Sequence, residues 1–207
     1  MSRFFSEKIS SIGEVSLWKT TETEDDLLSL RRLSKSEQSH LQLLKNPQKR
    51  LHWLSYRILL KEMLGGDFEM AYSENGKPVL ISPKKFLSVS HSKDFAAIFL
   101  SDTQEIGIDI EKITDRIQKL FPRFLSPTEQ QNSNLSDSVL LHLYWGAKEA
   151  VYKQFSQYRL LFAEQIQIAA IDMEKQQAVA KIQTADFQTE TRIFFRIIND
   201  YMLVGSC

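Results

Sequence analysis

Two acidic residues stand two positions apart in the stretch "IGIDIEKI", and their spacing suggests metal chemistry. Side chains at positions i and i+2 of a β-strand face the same side, so Asp109 and Glu111 are expected to project together. Like charges this close repel unless a cation compensates them, and carboxylate oxygens suit Mg²⁺. Gly107, just before the pair, allows a ligand or another backbone to approach closely. The alternative is that both acids form the solvent-facing edge of an ordinary strand.

A second charged pair lies in "WGAKEAVYK", which is predicted to be helical. Glu149 and Lys153 are four positions apart and share one face of a helix, where they could form an ordinary exposed ion pair. The apolar residues around them are Trp145, Ala147, Ala150, Val151 and Tyr152. A helix that is apolar on much of its circumference is mostly buried, and a buried charge needs a partner such as a metal ion or a phosphate. The pair alone leaves both interpretations open.

Several residues of the first half of the chain have the side-chain chemistry of a phosphate site. His91 in "SVSHS" is flanked by serines such as Ser90, and hydroxyl, backbone N–H and imidazolium groups all donate to phosphate oxygens. Lys77 of "NGKP" lies in a predicted hairpin loop, and Arg50 lies among basic residues near the start of a long helix. Each has an ordinary alternative, namely a structural histidine, a solvated lysine and a solvated helix face.

The first half of the chain carries clear helix signals. "EVSLWKT" is predicted to be a strand, and Ser34 followed by Glu37 forms a capping-box pattern for a helix that runs to about Leu44. Pro47 suits the first turn of a longer helix, which the two glycines at 65–66 end. The stretch "FEMAYSENGKPVLI" is predicted to be a hairpin whose tight turn has positive φ angles at Asn-Gly. Two strands follow, "FLSVSHS" and "FAAIFLS".

From Glu105 the chain begins a second series of elements. The strand "IGIDIEKI" is followed by a helical "DRIQKLFPRFLS", a surface loop at 130–138, a helix from about Asp137 to Phe155, and strands to the end. The segments "KDFAAIFLS" and "NDYMLVGS" resemble each other. We therefore predict an α+β fold with two similar α/β halves, residues 1–104 and 105–207, although so short a match also arises by chance.

The composition indicates a folded protein without a dominating charge. The chain has 207 residues, of which 43% are hydrophobic, and its 26 basic residues balance 26 acidic ones. No overall field attracts nucleic acid or a membrane. Cys207 is the single cysteine, which excludes an internal disulfide and a cysteine-based zinc site. Because we find no run that resembles a signal peptide or a membrane span, we expect a soluble, cytoplasmic protein.

The order of these motifs resembles that of a known family. "NGKP", "SVSHS", "GIDIEK", "RFLSPTE" and "WGAKEAVYK" follow one another from about Asn75 to Lys153. This series looks like that of the 4'-phosphopantetheinyl transferases, in their larger, tandem, single-chain form, the surfactin-synthetase-activating type. The specific part is the pair G-x-D-x-E and W-x-x-K-E-x-x-x-K. The C-terminal third is similar only in its strand pattern.

The resemblance implies an enzyme that transfers the 4'-phosphopantetheine arm of coenzyme A to a serine of an apo acyl or peptidyl carrier protein, leaving adenosine 3',5'-bisphosphate. It implies Mg²⁺ as the cofactor, with Asp109, Glu111 and Glu149 as ligands, and Glu149 as the base for the serine hydroxyl. Lys153 matches the lysine that reaches the pyrophosphate of the coenzyme. The active site is then expected at the junction of the two halves, in a chain that works as a monomer.

The resemblance also implies residues that bind coenzyme A. His91 matches a position at a phosphate, Ser90 a position near the nucleotide, and Lys77 the loop lysine beside the adenine. Arg50 is a candidate for the 3'-phosphate, because a guanidinium forks onto phosphate. The segment "SKSEQSHLQLL" departs from the family, whose members often carry basic residues there. The 3'-phosphate is therefore expected either to have fewer basic contacts or to be bound by neighbouring residues. The candidates are Lys35, Lys45, Arg50 and His52.

Two other functions are compatible with parts of the pattern. One is a catalytically silent module that binds carrier proteins, although such a module has no physical reason to keep three acids and a lysine. The other is a metal-dependent phosphodiesterase or nuclease that uses D-x-E, and the balanced net charge favours a small substrate over nucleic acid. The sequence does not distinguish fatty-acid, polyketide and nonribosomal-peptide carriers.

Overall fold

The structure is a computed structural model that describes residues 3–207, and this part of the chain forms a mixed α/β fold. The strands are β1 (Phe5–Ile9), β2 (Gly13–Lys19), β3 (Glu69–Tyr72), β4 (Pro78–Ser82), β5 (Phe86–Ser92), β6 (Phe95–Ser101), β7 (Gly107–Lys112), β8 (Ile166–Asp172), β9 (Gln177–Gln183), β10 (Gln188–Ile198) and β11 (Tyr201–Ser206). The α-helices are α1 (Glu24–Leu30), α2 (Lys35–Leu43), α3 (Pro47–Leu64), α4 (Pro127–Asn132), α5 (Ser138–Gln154) and α6 (Phe162–Gln165). Across residues 3–207, none of the helices combines the length and the apolar character needed to cross a membrane.

Local sequence signals set the ends of the helices in the first half. Helix α2 begins after Ser34, whose hydroxyl accepts a hydrogen bond from the Glu37 N–H at 3.2 Å, while the Glu37 carboxylate accepts one from the Ser34 N–H at 2.8 Å. Pro47 lies in the first turn of α3, and Gly65 ends that helix with a left-handed φ of 69°. The predicted capping box, proline start and glycine stop are confirmed.

Three local predictions differ from the structure. The turn between β3 and β4 has a positive φ at Gly76 (76°) but not at Asn75, so only the glycine adopts the left-handed conformation. The segment "DRIQKLFPRFLS" forms two short 3₁₀ helices, because Pro122 lacks the N–H that a continuous α-helix needs. The loop predicted at 130–138 is shorter, since α4 extends into its first residues.

The strands form two larger antiparallel sheets and a separate hairpin. The first sheet has the order β1-β2-β6-β5, the second has the order β7-β11-β10-β9-β8, and β3 and β4 pair with each other. Helix α3 packs on β2 and β6 of the first sheet, and α5 packs on β7 and β11 of the second. Each sheet therefore buries one face under a long helix.

The two sheets meet through a buried core that they share. Phe95 and Phe99 of β6, Ile108 of β7, and Tyr201 and Leu203 of β11 belong to one apolar cluster. The rings of Phe95 and Tyr201 meet edge to face with centroids 4.8 Å apart. At the same junction β5 lies beside β7, although the two strands belong to different sheets. This arrangement places "SVSHS" next to "GIDIEK".

Candidate active site

A close approach of β7 and α5 brings the predicted acids to one place. A Cβ added at Gly107 would lie 1.8 Å from the backbone oxygen of Ala150, so a side chain at this position would force the strand and the helix apart. This confirms the close backbone approach predicted at the glycine. Asp109 of β7 then lies near enough for its negative charge to act on both Glu111 and Glu149.

Asp109 is the most buried of the three acids, with only 4% of its surface exposed. Its Oδ1 atom accepts hydrogen bonds from the Ser90 hydroxyl at 2.9 Å and from the Lys153 ammonium at 2.8 Å. Its Oδ2 atom is buried and has no hydrogen-bond partner within residues 3–207. A buried carboxylate oxygen without a partner is unfavourable, and a bound cation would remove that cost.

Lys153 forms its ion pair with Asp109 and not with Glu149 of its own helix. Its ammonium donates to Asp109 Oδ1 at 2.8 Å, to the backbone oxygen of Ile108 at 2.8 Å and to the Ser90 hydroxyl at 3.1 Å. These three acceptors match the three N–H groups of an ammonium. The exposed Glu149–Lys153 pair, which was one interpretation of the helix, is therefore wrong, and Lys153 links α5 to both β5 and β7.

Glu149 has the side chain best suited to exchange a proton at neutral pH. Burial, together with the charges of Asp109 and Glu111, raises the pKa of Glu149 to about 7, while the charge of Lys153 opposes the shift. Burial and Asp109 also raise the pKa of Glu111, against a hydrogen bond from Ser92 that lowers it. The cluster therefore holds more negative charge than its single lysine compensates, and a carboxyl with a pKa near 7 can act as a general base at neutral pH.

The chemistry of this cluster fits a hard divalent cation. Its donors are carboxylate oxygens, which Mg²⁺ prefers, and a cation would relieve the repulsion that raises the pKa of Glu111 and Glu149. The unpartnered Oδ2 of Asp109 is available to the same cation. Among residues 3–207, no group of three or more His, Cys, Asp or Glu side chains is arranged so that it could hold a metal ion without rearrangement. A cation would thus draw the acids together and take further oxygens from water or substrate.

His91 lies on the exposed side of β5, where cationic residues gather. Its ring stacks on that of His52 from α3, with centroids 4.4 Å apart, and the His52 Nε2 atom lies 2.9 Å from the backbone oxygen of Lys93. Partial desolvation lowers the pKa of His91, and His52, Lys153 and Lys49 lower it further. Because cations repel one another here, an anion would be stabilised. The phosphate role of His91 stays a prediction, and His52 and Lys49 belong to the same candidate site.

A cavity of about 430 Å³ lies between the hairpin loop and α5. Asn75, Lys77, Tyr152, Lys153 and Arg159 are among the residues that line it. Three of these side chains are cationic, and two of them are paired with acids, Lys77 with Glu105 and Lys153 with Asp109, so an anionic ligand would compete with these acids. Sequence analysis missed Arg159, which has a left-handed φ of 50° in the turn after α5 and belongs to no recognised motif.

Ser90 and Arg50, two of the predicted coenzyme contacts, are engaged within the protein. Ser90 is buried at the acid cluster. Arg50 pairs with Glu24 of α1 through two of its nitrogens and donates to the backbone oxygen of Leu41 at 2.5 Å. A phosphate at Arg50 would have to displace Glu24. Both coenzyme roles stay predictions, and each would require an internal contact to be replaced.

A second cavity has a volume of about 550 Å³. Glu111, Lys112, Arg116, His142 and Trp145 are among its lining residues. Glu111 therefore lines this second cavity, whereas Lys153, which pairs with Asp109, lines the first. A larger cavity, of about 820 Å³, lies between α2, α3 and β3, and none of the predicted site residues lines it.

Lys148 is fully buried and fixes the helix that carries Glu149. Its ammonium donates to the Glu129 carboxylate at 2.6 Å and to the backbone oxygens of Phe124 and Phe162 at 2.7 and 3.0 Å. Burial lowers the pKa of Lys148, and the charge of Glu129 opposes that shift. Glu129 also caps α4 and accepts a backbone N–H of β8. The capping pattern in "RFLSPTE" was the available sequence signal for this partner.

The sequence of this chain is similar to those of known proteins. Residues 105–201 match the family described as the 4'-phosphopantetheinyl transferase superfamily. The 4'-phosphopantetheinyl transferase AcpT of Salmonella typhimurium is 38% identical over 113 residues, which are 51% of this chain and 59% of AcpT. The 4'-phosphopantetheinyl transferase HetI of Nostoc sp. is 29% identical over 192 residues, which are 83% of this chain and 79% of HetI. The match thus spans less than two thirds of the AcpT protein and about four fifths of HetI.

Proposed function

We propose that this chain, whose residues 105–201 match the 4'-phosphopantetheinyl transferase superfamily, transfers the phosphopantetheine arm of coenzyme A to a serine of an apo carrier protein. The observation that carries the proposal is the acid cluster of Asp109, Glu111 and Glu149, which meets Lys153 beside a cationic cavity. The names of the relatives AcpT and HetI support the same transfer. The coenzyme is cleaved at its pyrophosphate, and adenosine 3',5'-bisphosphate is released.

Binding of the coenzyme begins at the cationic cavity. Lys77 and Arg159 line this cavity and would meet the nucleotide, and Lys153 lines it too and bonds to Asp109. A separate position for a phosphate lies at the edge of β5, where Lys49 and Lys153 add positive charge near the stacked rings of His91 and His52. These contacts orient the pyrophosphate towards the acids, and correct orientation alone lowers the barrier for attack by a second substrate.

Asp109, Glu111 and Glu149 are the residues that would hold Mg²⁺. When bound, Mg²⁺ neutralises part of the negative charge on the pyrophosphate and on the departing phosphate. Lys153 contributes positive charge from the protein at the same place, once a phosphate oxygen replaces one of its three present acceptors. The repulsion among the acids makes the cluster receptive to the positive charge of a bound cation.

Glu149 is the proposed base for the carrier serine. In its ionised form it can accept the hydroxyl proton as the serine oxygen attacks the phosphorus of the phosphopantetheine group. A new bond forms between the serine oxygen and this phosphorus, and the bond from phosphorus to the bridging oxygen of the nucleotide breaks. The cavity lined by Glu111 and Trp145 is the proposed space for the carrier serine.

We also propose that residues 1–104 and 105–207 are two similar halves, as in the larger single-chain form of the family. Each half contributes an antiparallel sheet with one long helix packed on it, which supports this view. The contacts from β5 to the acid cluster give the first half a part in the site, so a single chain can complete it. We therefore expect the protein to act as a monomer.

The test is to incubate the protein with coenzyme A, Mg²⁺ and an apo carrier protein, and to measure both the mass of the carrier and the released nucleotide. A transferase converts the carrier and releases adenosine 3',5'-bisphosphate in equal amounts. A silent binding module would do neither. A phosphodiesterase would release nucleotide without changing the mass of the carrier, and either result would refute the proposal.

A further inference from the structure

Three serines of β5 face β7 across the junction, and we call them the serine row: Ser88, Ser90 and Ser92. Because side chains repeat every two residues along a strand, their hydroxyls lie on one side. The hydroxyl of Ser88 accepts a hydrogen bond from the Ile108 N–H at 3.0 Å, and that of Ser90 accepts one from the Ile110 N–H at 3.3 Å. The hydroxyls thus accept hydrogen bonds from backbone N–H groups at the edge of β7, since β5 forms no backbone hydrogen bonds with that strand.

The serine row also reaches the acids that β7 carries. Ser90 donates to Asp109 Oδ1 at 2.9 Å, and Ser92 donates to Glu111 Oε2 at 2.9 Å. The hydroxyl of Ser92 has this one partner among residues 3–207, whereas Ser90 also meets Lys153 and a backbone N–H. Among the three serines, Ser92 is therefore the one whose hydroxyl bonds only to a carboxylate, that of Glu111.

We infer that Ser92 is a positioning residue that holds the Glu111 carboxylate in the orientation in which it binds the cation. A ligand carboxylate fixed by a hydrogen bond loses less freedom when the metal binds, and removal of such a partner commonly weakens binding about 10–100-fold. The inference rests on the proposed function, because it takes Glu111 as a metal ligand. It also means that the first half of the chain influences the metal site without supplying a ligand to it.

The test uses Mn²⁺ alone as the probe, with free Mn²⁺ measured by electron paramagnetic resonance in titrations of the whole protein. We expect Ser92→Ala to weaken Mn²⁺ binding by about 10-fold. Ser92→Thr keeps a hydroxyl at the same position and is expected to restore most of the affinity. Ser88→Ala is the matched control: it removes a hydroxyl from the same row that bonds only to backbone, so the melting temperature should fall while Mn²⁺ affinity is retained.

Three results would overturn the inference. Ser92→Ala that binds Mn²⁺ like the wild type would show that the hydrogen bond does not orient the ligand. An equal loss of affinity in Ser88→Ala would show that the row acts only by holding the sheets together. A wild-type protein that binds no Mn²⁺ would overturn the ligand assignment itself, and this result separates a failure of the proposed function from a failure of the role of Ser92 alone.

Discussion

At the scale of single residues, Lys153 holds a positive charge at the place where we expect an anion to bind. Its ammonium is held by Asp109, by Ser90 and by the backbone of β7, and its side chain remains 27% exposed. The lysine is thus already at the junction before substrate binds, and a phosphate oxygen needs to replace only one of its acceptors. The sequence indicated the residue and its helix, and of the two interpretations it left open, the exposed pair with Glu149 is wrong, since the partner is Asp109.

Replacement of Lys153 tests this role. If Lys153 contacts the pyrophosphate, we expect Lys153→Ala to lower kcat by about 10²–10³, because a charge-assisted contact to developing negative charge is worth about 2–4 kcal/mol. We also expect a loss of about 1–3 kcal/mol in unfolding free energy, since the variant leaves Asp109 without its ion partner. Steady-state kinetics and chemical denaturation measure the two effects separately. Turnover equal to that of the wild type would exclude Lys153 from the reaction.

At the scale of elements, the contact between β7 and α5 decides where the acids lie. Gly107 permits this contact, because any side chain there would collide with the backbone of α5 at Ala150. Lys148 fixes the same helix from its other side by pairing with Glu129. The position of Glu149 therefore depends on two packing contacts, neither of which involves substrate.

A substitution at Gly107 should damage both stability and activity. Gly107→Ala places a Cβ 1.8 Å from the Ala150 oxygen, so α5 must shift, and we expect a loss of about 1–3 kcal/mol or more in unfolding free energy. Transfer should fall further than the fraction of folded protein, because Glu149 moves with α5. Gly66→Ala is the matched control, since nothing lies within 4 Å of its added Cβ. A Gly107→Ala variant as stable and active as that control would contradict this account.

Sequence patterns predicted the elements that local chemistry defines. The capping box of Ser34, the glycine at the end of α3, and the strand and helix that hold the acids are all as expected. Helix α1 was not predicted, and the bond from Ser92 to Glu111 was also missed. Such a bond joins strands of different sheets, so its formation depends on tertiary packing that no local pattern encodes.

At the scale of the whole molecule, the candidate site lies at the junction between the two sheets, and both sheets contribute residues to it. The serine row of β5 meets the acids of β7, and a shared apolar core that includes Phe95 and Ile108 holds the two sheets together. Lys77 of the hairpin loop reaches Glu105 across the same junction at 2.7 Å. Composition could predict a folded chain, and motif order could suggest the family, but only the packing of the sheets brings these residues to one place.

The most direct measurement is the mass of an apo carrier protein after incubation with coenzyme A, saturating Mg²⁺, and either the wild type or the Asp109→Asn variant. The substitution keeps the shape of the side chain and removes the negative charge that the cation and Lys153 need. We expect the wild type to add the phosphopantetheine arm, and the folded variant to do so at less than about one hundredth of that rate. Melting curves of both proteins show whether the variant is folded. A folded Asp109→Asn protein that modifies the carrier as fast as the wild type would contradict the account, as would a wild type that leaves the carrier unchanged.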